Sequence, residues 1–210
     1  MSTLTKRLGA LVGAGALVVA LTACSAGSAT GDTVTDGVLT IATGEPAYYP
    51  YVLDDDPTSG EGFESAVAYA VAEELGFAPE DVVWVRTTFE AAIQPGPKDF
   101  DFNLQQYSIT EERAQNVDFS IPYYSTPQAV ITQAGSAASG ATTIAELQGL
   151  LIGAASGTTS FQAIEEIIAP TAGAQAFNDN DAAKLALETG QIDALVVDLP
   201  TAFYLTAVEI

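Results

Sequence analysis

The chain has no histidine, a single cysteine and few basic residues. Of its 210 residues, 6 are lysine or arginine and 27 are aspartate or glutamate. Without histidine, there is no imidazole to act as an acid–base catalyst or a metal ligand. A lone cysteine excludes a disulfide within the chain and a cysteine-based zinc site. The sequence therefore points away from metal and imidazole chemistry, and we expect no cofactor.

The excess of acid gives a formal net charge of −21. Such a surface repels nucleic-acid phosphate and anionic lipid headgroups, so we expect neither as a partner. The acidic run 54–56 could bind calcium, but it lacks the alternating pattern of a calcium loop, and we expect a solvated turn there. With 48% hydrophobic and 16% charged residues, the chain can bury a core.

The first 23 residues have the pattern of an export signal. Lys6 and Arg7 form the positively charged region, and the apolar stretch 8–21 that follows is shorter than a typical transmembrane helix. Residues 21–24, Leu-Thr-Ala-Cys, resemble the lipobox of bacterial lipoproteins, which implies cleavage before Cys24 and lipidation of its sulfur. The alternative is an ordinary signal peptide with an incidental cysteine. We expect a tether over 24–36 and a lipid-anchored protein on the outer face of the cell membrane.

Beyond residue 36, strand and helix patterns alternate, which predicts parallel βαβ units in two α/β lobes, 37–126 and 127–210. The predicted strands are 38–42, 82–85, 100–104, 128–132, 150–154, 174–177 and 192–197. The predicted helices are 63–75, 89–93, 143–147, 160–168, 180–188 and 200–210. Helical spacing indicates one apolar face on the first helix, formed by Phe63, Ala66, Val67, Ala70, Val71 and Leu75.

A weak internal repeat supports two similar lobes. Asp101 and Asp193 hold matching positions, each at the start of an apolar strand that follows a helix and a turn. Lobes of this kind place a cleft between the carboxyl ends of their strands, which is the usual ligand site of open α/β sheets.

Arg113 follows the strand at 100–104. Ser108 and Glu111 have capping-box spacing, which predicts a helix start near Thr110. Arg113 then lies in the first helical turn, where the helix dipole disfavours a cation. One explanation is an ion pair with a neighbouring acid (Glu111, Glu112 or Asp118). The other is that Arg113 receives a ligand's carboxylate, which the guanidinium matches with two hydrogen bonds.

Three further features lie at predicted strand ends or loops. The turn 156–159 opens a helix, so Thr159 could cap that helix or help to bind an anion. Asp198 could likewise cap the last helix or receive a cation. The tyrosine-rich loop 48–51 could be a surface turn or an aromatic wall. Together with Arg113, these groups could bind a zwitterion such as an amino acid, because each buried charge would be paired.

The chain is similar to the extracytoplasmic solute-binding proteins of polar amino acid ABC transporters over residues 37–208. The resemblance rests on the order and spacing of several blocks, namely 48–51 (Tyr-Tyr-Pro-Tyr), 62–64 (Gly-Phe-Glu), 108–113 (Ser-Ile-Thr-Glu-Glu-Arg), 117–124, 156–159 (Ser-Gly-Thr-Thr), 192–194 and Asp198. It implies a two-lobed fold of the type II periplasmic-binding-protein kind. It also implies a monomer that captures a polar amino acid and delivers it to an ABC permease, without a chemical step.

The resemblance also assigns roles in the site. Arg113 and Thr159 would hold the α-carboxylate, and Asp198 would receive the α-ammonium with help from Ser108 and Gln106. Tyr48 and Phe89 would flank the ligand's side chain. Gln105 and Gln106 replace the small residues common at this point, so we expect a narrower or more polar pocket. The bound amino acid stays open between glutamine, glutamate, basic amino acids and cystine.

One departure from the family pattern and two alternative functions qualify this expectation. The family's chain normally returns to the first lobe after the last helix, whereas this sequence stops at Ile210. Either the sequence is truncated, or the first lobe lacks its final segment. The alternative function is a dehydratase-like enzyme on the same fold, with Glu64 or Asp198 as general acid. A third hypothesis is an adhesin or inert surface protein, which would bind no small molecule.

Overall fold

The computed structural model describes residues 33–210. Cys24, the predicted export signal and most of the predicted tether lie outside the described residues. In the part that is described, no helix is long and apolar enough to cross a membrane.

The chain forms two separate β-sheets. The first has the order β2-β1-β3 and is parallel throughout. The second has the order β4-β7-β5-β6, and only β4 runs antiparallel, against β7. The strands are β1 (Leu39–Gly44), β2 (Val82–Thr87), β3 (Phe102–Asn103), β4 (Gln128–Thr132), β5 (Ile152–Ala155), β6 (Ala174–Phe177) and β7 (Ala194–Asp198).

Helices pack on both sheets, which confirms the predicted α/β class with mainly parallel sheets. They are α1 (Phe63–Glu74), α2 (Phe89–Ile93), α3 (Ile144–Leu147), α4 (Thr159–Ala163), α5 (Asn180–Glu188) and α6 (Leu199–Tyr204). Both α4 and α6 continue as single π-helical turns, at Ile164–Ile168 and Leu205–Glu209. We call the part built on the first sheet lobe I and the part built on the second sheet lobe II. The boundary at residues 126 and 127 stays a prediction.

Two local predictions were wrong. The strand expected at 100–104 is only the two-residue β3, in which Phe102 and Asn103 pair with β1, although the N–H groups of Asp101 and Leu104 also donate to β1. The helix expected from Thr110 is a single 3-10 turn, Arg113–Gln115. The hydroxyl of Thr110 accepts the Arg113 N–H at 3.2 Å and so stabilises the start of this turn. A capping box between Ser108 and Glu111 was expected there instead.

The apolar face that helical spacing indicates on α1 is not the face that the helix buries most deeply. The helix buries Glu64, Ser65, Ala68 and Ala72, whereas the apolar stripe includes exposed residues such as Val71, which is 38% accessible. On the buried face, Ala68 and Ala72 pack against Leu39 and Ile41 of β1. The exposed stripe borders an apolar groove of about 910 Å³, which α1 forms with β3 and residues 116–126.

The internal repeat is visible in the two sheets. The backbone N–H of Asp101 donates to the carbonyl of Thr40 at 2.8 Å, and its carboxylate accepts the Thr40 N–H at 2.7 Å. Asp193 makes the same pair of bonds to Leu151, at 2.7 and 2.8 Å. Each aspartate therefore joins the chain leading into one strand to a neighbouring strand, which gives the lobes a common construction.

Candidate functional site

A cavity of about 210 Å³ lies between the lobes, at the carboxyl ends of β1, β5 and β7. Seven of the eight predicted ligand residues line it, and the eighth, Ser108, contacts one of them. The seven are Tyr48, Phe89, Gln105, Gln106, Arg113, Thr159 and Asp198. The larger groove beside α1 includes Ser108 and Asp198 but neither Arg113 nor Thr159. The smaller cavity is therefore the candidate site.

Arg113 is only 6% exposed, and it connects the two lobes. One terminal nitrogen donates to the carbonyl of Ser108 in lobe I, and the other to the carbonyl of Gly157 in lobe II, both at 2.8 Å. The guanidinium carbon lies 5.3 Å from the ring centre of Phe89 and 5.6 Å from that of Tyr107. Burial lowers the pKa of Arg113 below its ordinary value, but such a group stays charged at neutral pH.

The alternative of a local ion pair is wrong. Among residues 33–210, Arg113 forms no ion pair with Glu111, Glu112 or Asp118. Backbone carbonyls and aromatic faces satisfy the guanidinium only in part, because neither carries a full negative charge. The cation is thus held at the cavity wall without a carboxylate of its own.

A buried carboxylate holds the loop that carries Gln105 to Ser108. Glu64, 1% exposed, accepts the backbone N–H of Gln106 at 2.8 Å, its side-chain amide, and the Tyr123 hydroxyl at 2.6 Å. Burial raises the pKa of Glu64, while these donors oppose the rise. Gln106 adopts a left-handed backbone (φ 55°), which the bonds to Glu64 stabilise. Sequence reasoning missed this positioning role for Glu64.

Thr158, rather than Thr159, caps α4. The Thr158 hydroxyl accepts the Phe161 N–H at 3.1 Å. The hydroxyl of Thr159 is therefore available, and it lies 3.0 Å from the hydroxyl of Ser108 in the other lobe. The capping alternative for Thr159 was wrong, and the pair of hydroxyls joins the two lobes beside Arg113.

Asp198 ends β7 and holds the N-cap position of α6, but its side chain makes no capping hydrogen bond. Its carboxylate accepts the Gln128 amide at 2.7 Å, and Gln128 in turn accepts the Ser160 hydroxyl at 2.6 Å. Burial raises the pKa of Asp198, although the Gln128 bond and the charge of Arg113 oppose the shift. The roles of Gln128 and Ser160 were missed. The role of Gln128 could have been inferred only from the strand register, which places it opposite Asp198 across β4 and β7.

The tyrosine-rich loop is not a simple surface turn. Tyr48 lines the cavity, and Tyr51 is 4% exposed in the core. Tyr49 stacks on Tyr204 of lobe II, with ring centres 4.6 Å apart and planes 5° from parallel. The loop therefore contributes an aromatic wall and a contact between the lobes.

Gln105 lines the cavity near the end of β1, and the expected narrower pocket stays a prediction. Gln105 is 8% exposed, and its amide carbonyl accepts the Tyr107 hydroxyl at 3.3 Å. Its amide nitrogen packs against the end of β1, where a Cβ on Gly44 would lie only 2.9 Å away. The glycine is therefore required for Gln105 to lie across the strand end.

A cation, a carboxylate, two hydroxyls and aromatic rings thus converge between two α/β lobes. These features define a two-lobed protein with a polar interlobe cleft of the kind that binds a small ligand. Residues 39–195 match the family described as bacterial extracellular solute-binding proteins, family 3, and the chain belongs to this family.

Two relatives show the range of the family. A probable histidine-binding protein of Campylobacter jejuni is 32% identical over 78% of this chain. An L-arginine-binding protein of Pseudomonas aeruginosa is 30% identical over 73% of it. The alignments span 62% and 58% of those relatives, so the chain corresponds to about three fifths of their length.

Solved structures agree on the architecture. The ancestral amino acid-binding protein AncCDT-1, described as a precursor of cyclohexadienyl dehydratase, superposes with a TM-score of 0.67 at 30% identity, over 82% of this chain and 75% of that one. An ancestral arginine-binding protein bound to glutamine gives 0.68 at 28% identity, over 83% and 76%. The predicted type II binding-protein fold is confirmed, and the sequence covers about three quarters of these solved chains.

Proposed function

We propose that the protein is an extracytoplasmic receptor that captures a polar amino acid between its lobes and delivers it to an ABC permease. One observation carries the proposal, namely that Arg113, Thr159 and Asp198, far apart in the sequence, line one cavity with aromatic walls. The functions of the relatives support it. Cys24 would carry the lipid that holds a monomeric receptor on the outer face of the membrane.

Each end of an amino acid has a matching group. The α-carboxylate fits Arg113, which would exchange a carbonyl acceptor for a charged one and so make a stronger hydrogen bond. The hydroxyls of Ser108 and Thr159 supply donors from both lobes. The α-ammonium fits Asp198, whose carboxylate Gln128 already orients. A zwitterion would neutralise both buried charges, which no single ion can do.

Closure of the lobes follows from the same contacts. Arg113 bonds to Gly157 across the cleft, and Ser156 donates to the Glu90 carboxylate of lobe I at 2.8 Å. A ligand that contacts both lobes favours the arrangement in which they touch. A permease that recognises this arrangement would distinguish loaded from empty receptor.

A thermal-unfolding panel of the L-amino acids tests the proposal. A cognate amino acid at about 100 times its dissociation constant should stabilise the protein by about 2.7 kcal/mol. The enantiomer of that amino acid is the control, because with its carboxylate on Arg113 and its ammonium on Asp198 its side chain would point away from the space that the L side chain occupies. If no amino acid shifts the transition, the proposal is wrong and an inert surface protein becomes the better account.

The second candidate is an enzyme that acts on an amino or keto acid. One structural relative, AncCDT-1, is described as a dehydratase precursor, and Asp198 places a carboxylate in the cavity. Glu64, the other candidate acid, does not line this cavity and already holds three donors. The relatives named as binding proteins are consistent with a non-enzyme. Recovery of the bound ligand unchanged after long incubation would support the receptor, whereas turnover would support the enzyme.

A further inference from the structure

We propose that Arg86, which lies outside the ligand cavity, is a positioning residue for closure of the lobes. Together with Asp55, it holds the loop 44–55 in the shape that places Tyr49 against Tyr204 of lobe II. The proposal rests on the function proposed above and identifies the residues of lobe I that fix one of its closing contacts. None of these four residues lines the interlobe cavity.

Arg86 uses all three nitrogens of its guanidinium on this loop. Its Nε donates to the carbonyl of Gly44 at 2.7 Å, at the residue where β1 ends. One terminal nitrogen donates to the carbonyl of Asp55 at 3.1 Å, and the other pairs with the Asp55 carboxylate. The guanidinium therefore connects the start of the loop to its end, and the planar arrangement of its donors makes this possible.

Asp55 extends this constraint to the interior of the loop. Its carboxylate also accepts the backbone N–H of Ala47 at 2.7 Å. Asp54 and Asp55 both have a left-handed backbone, with φ of 53° and 55°, which costs free energy for residues other than glycine. Because such a conformation persists only where surrounding contacts hold it, the bonds from Arg86 and Ala47 stabilise this turn.

The neighbouring aspartate connects the turn to lobe II. The carboxylate of Asp54 accepts the Tyr49 hydroxyl at 2.8 Å, so the turn that Arg86 holds also fixes the ring of Tyr49. That ring stacks on Tyr204, with ring centres 4.6 Å apart. A continuous set of contacts thus runs from β2 through two aspartates and one aromatic ring to the other lobe.

Stability of lobe I alone does not account for this ion pair. The side chains of Arg86 and Asp55 are 25% and 51% exposed. Ion pairs at such exposure contribute little to the free energy of unfolding, because water and salt screen them. Three of the four bonds around the pair end on backbone groups of the loop, so their main effect is to set the shape of that loop.

Amide hydrogen exchange tests the positioning role without any ligand. Arg86→Lys keeps the charge but loses the planar set of donors. We expect the Ala47 N–H to exchange at least about tenfold faster, as the loss of one charge-assisted bond implies, while the amides of β5 and β7 keep their rates. Asp55→Asn should act in the same direction, whereas Asp81→Asn, which removes an exposed carboxylate at the other end of β2, should change nothing. An Ala47 amide that is unprotected in the wild type, or equally protected in Arg86→Lys, would overturn the role of Arg86.

A double-mutant cycle tests the link to closure. The probe is the L-amino acid of the thermal panel that stabilises the wild type most, and calorimetry measures its affinity. Arg86→Lys should weaken its binding about two- to tenfold, which is the loss expected for the aromatic stack itself. Adding Tyr204→Leu to Arg86→Lys should cost little more, because both substitutions remove the same contact. Losses that simply add would show that Arg86 does not act through the stack.

The outcomes separate this inference from the function beneath it. If an L-amino acid binds and requires Arg113, but Arg86→Lys binds it as the wild type does, the receptor stands and the role of Arg86 in closure is wrong. If no L-amino acid stabilises the protein, the proposed function fails together with that role. The exchange measurement still decides in that case whether Arg86 holds the loop.

Discussion

Arg113 is a nearly buried cation that donates to two backbone carbonyls, one in each lobe. A buried charge without an ionic partner is costly, and carbonyl groups compensate it less well than a carboxylate does. The residue type, its burial and its position between the lobes therefore all favour a carboxylate ligand. Asp198 has the complementary property, since burial raises its pKa and a ligand ammonium would favour its charged form.

We predict that amino-acid affinity falls in acid because Asp198 becomes protonated. The ligand-free pKa of Asp198 lies above its ordinary value of 3.8, so ligand binding, which needs the carboxylate, is full above this raised pKa and is lost as the pH falls through it. Asp198→Asn should bind about tenfold more weakly at neutral pH, because a charge-assisted bond is lost, and should lack this acid dependence.

Calorimetry across the range from neutral pH to about pH 4 measures both effects. Glu64 also has a raised pKa, but it is present in both proteins, so their difference isolates Asp198. Glu188→Gln, which removes an exposed carboxylate on α5, should follow the wild-type profile. An Asp198→Asn protein with the wild-type acid dependence would assign the titration to another group.

At the scale of elements, the two adjacent threonines at the start of α4 separate stability from binding. We predict that Thr158→Ala lowers the free energy of unfolding by about 1 kcal/mol, because it removes the helix cap. Thr159→Ala should change stability less and weaken ligand binding more, since its hydroxyl faces Ser108 across the cleft. Urea unfolding and calorimetry of both variants test this division, and the reverse pattern would contradict it.

The contact between the loop at 48–51 and α6 leads to a prediction for a residue that affects ligand affinity without contacting the ligand. Tyr204→Leu keeps an apolar side chain but removes the stack on Tyr49. Aromatic pairs contribute about 0.5–1.5 kcal/mol, so affinity should fall about two- to tenfold through a weaker closed arrangement. Phe203→Leu is the control, because Phe203 is 65% exposed and makes no aromatic contact within residues 33–210. Equal affinities in the two variants would rule out a role for the stack.

Element prediction succeeded where local chemistry decides and failed where packing decides. The bounds of α2, β4, β6 and α5 agree with the structure because caps, turns and apolar runs mark them. The face of α1 could not be predicted, because spacing reveals an apolar stripe but not the surface on which the helix lies. Here small residues face β1, and the larger apolar ones face the groove.

At the scale of the whole molecule, the repeated aspartates show why two lobes could be inferred from one sequence. Asp101 and Asp193 form the same pair of backbone bonds in different sheets, so a weak pattern in the sequence reflects a shared construction. Arg113, Thr159 and Asp198 were placed together through strand ends and family resemblance. The partners Gln128, Ser160 and Glu64 depend on strand register and loop path, which no local pattern contains.

The whole chain is strongly acidic, and this net charge should influence the binding of charged ligands. A net charge of −21 attracts cationic solutes and repels anionic ones before any contact forms. The effect on association should weaken as salt is added, because screening shortens the range of the field. Comparisons between ligands of different charge therefore need matched ionic strength.

The most direct test of the central claim is calorimetric titration of the cognate amino acid into the wild-type protein, Arg113→Ala and Lys98→Ala. Arg113→Ala should bind about tenfold more weakly or not measurably, because the guanidinium that pairs with the α-carboxylate is removed. Lys98→Ala loses the same charge outside the interlobe cavity and should bind as the wild type does. Affinity unchanged in Arg113→Ala would contradict the site and the function assigned to it.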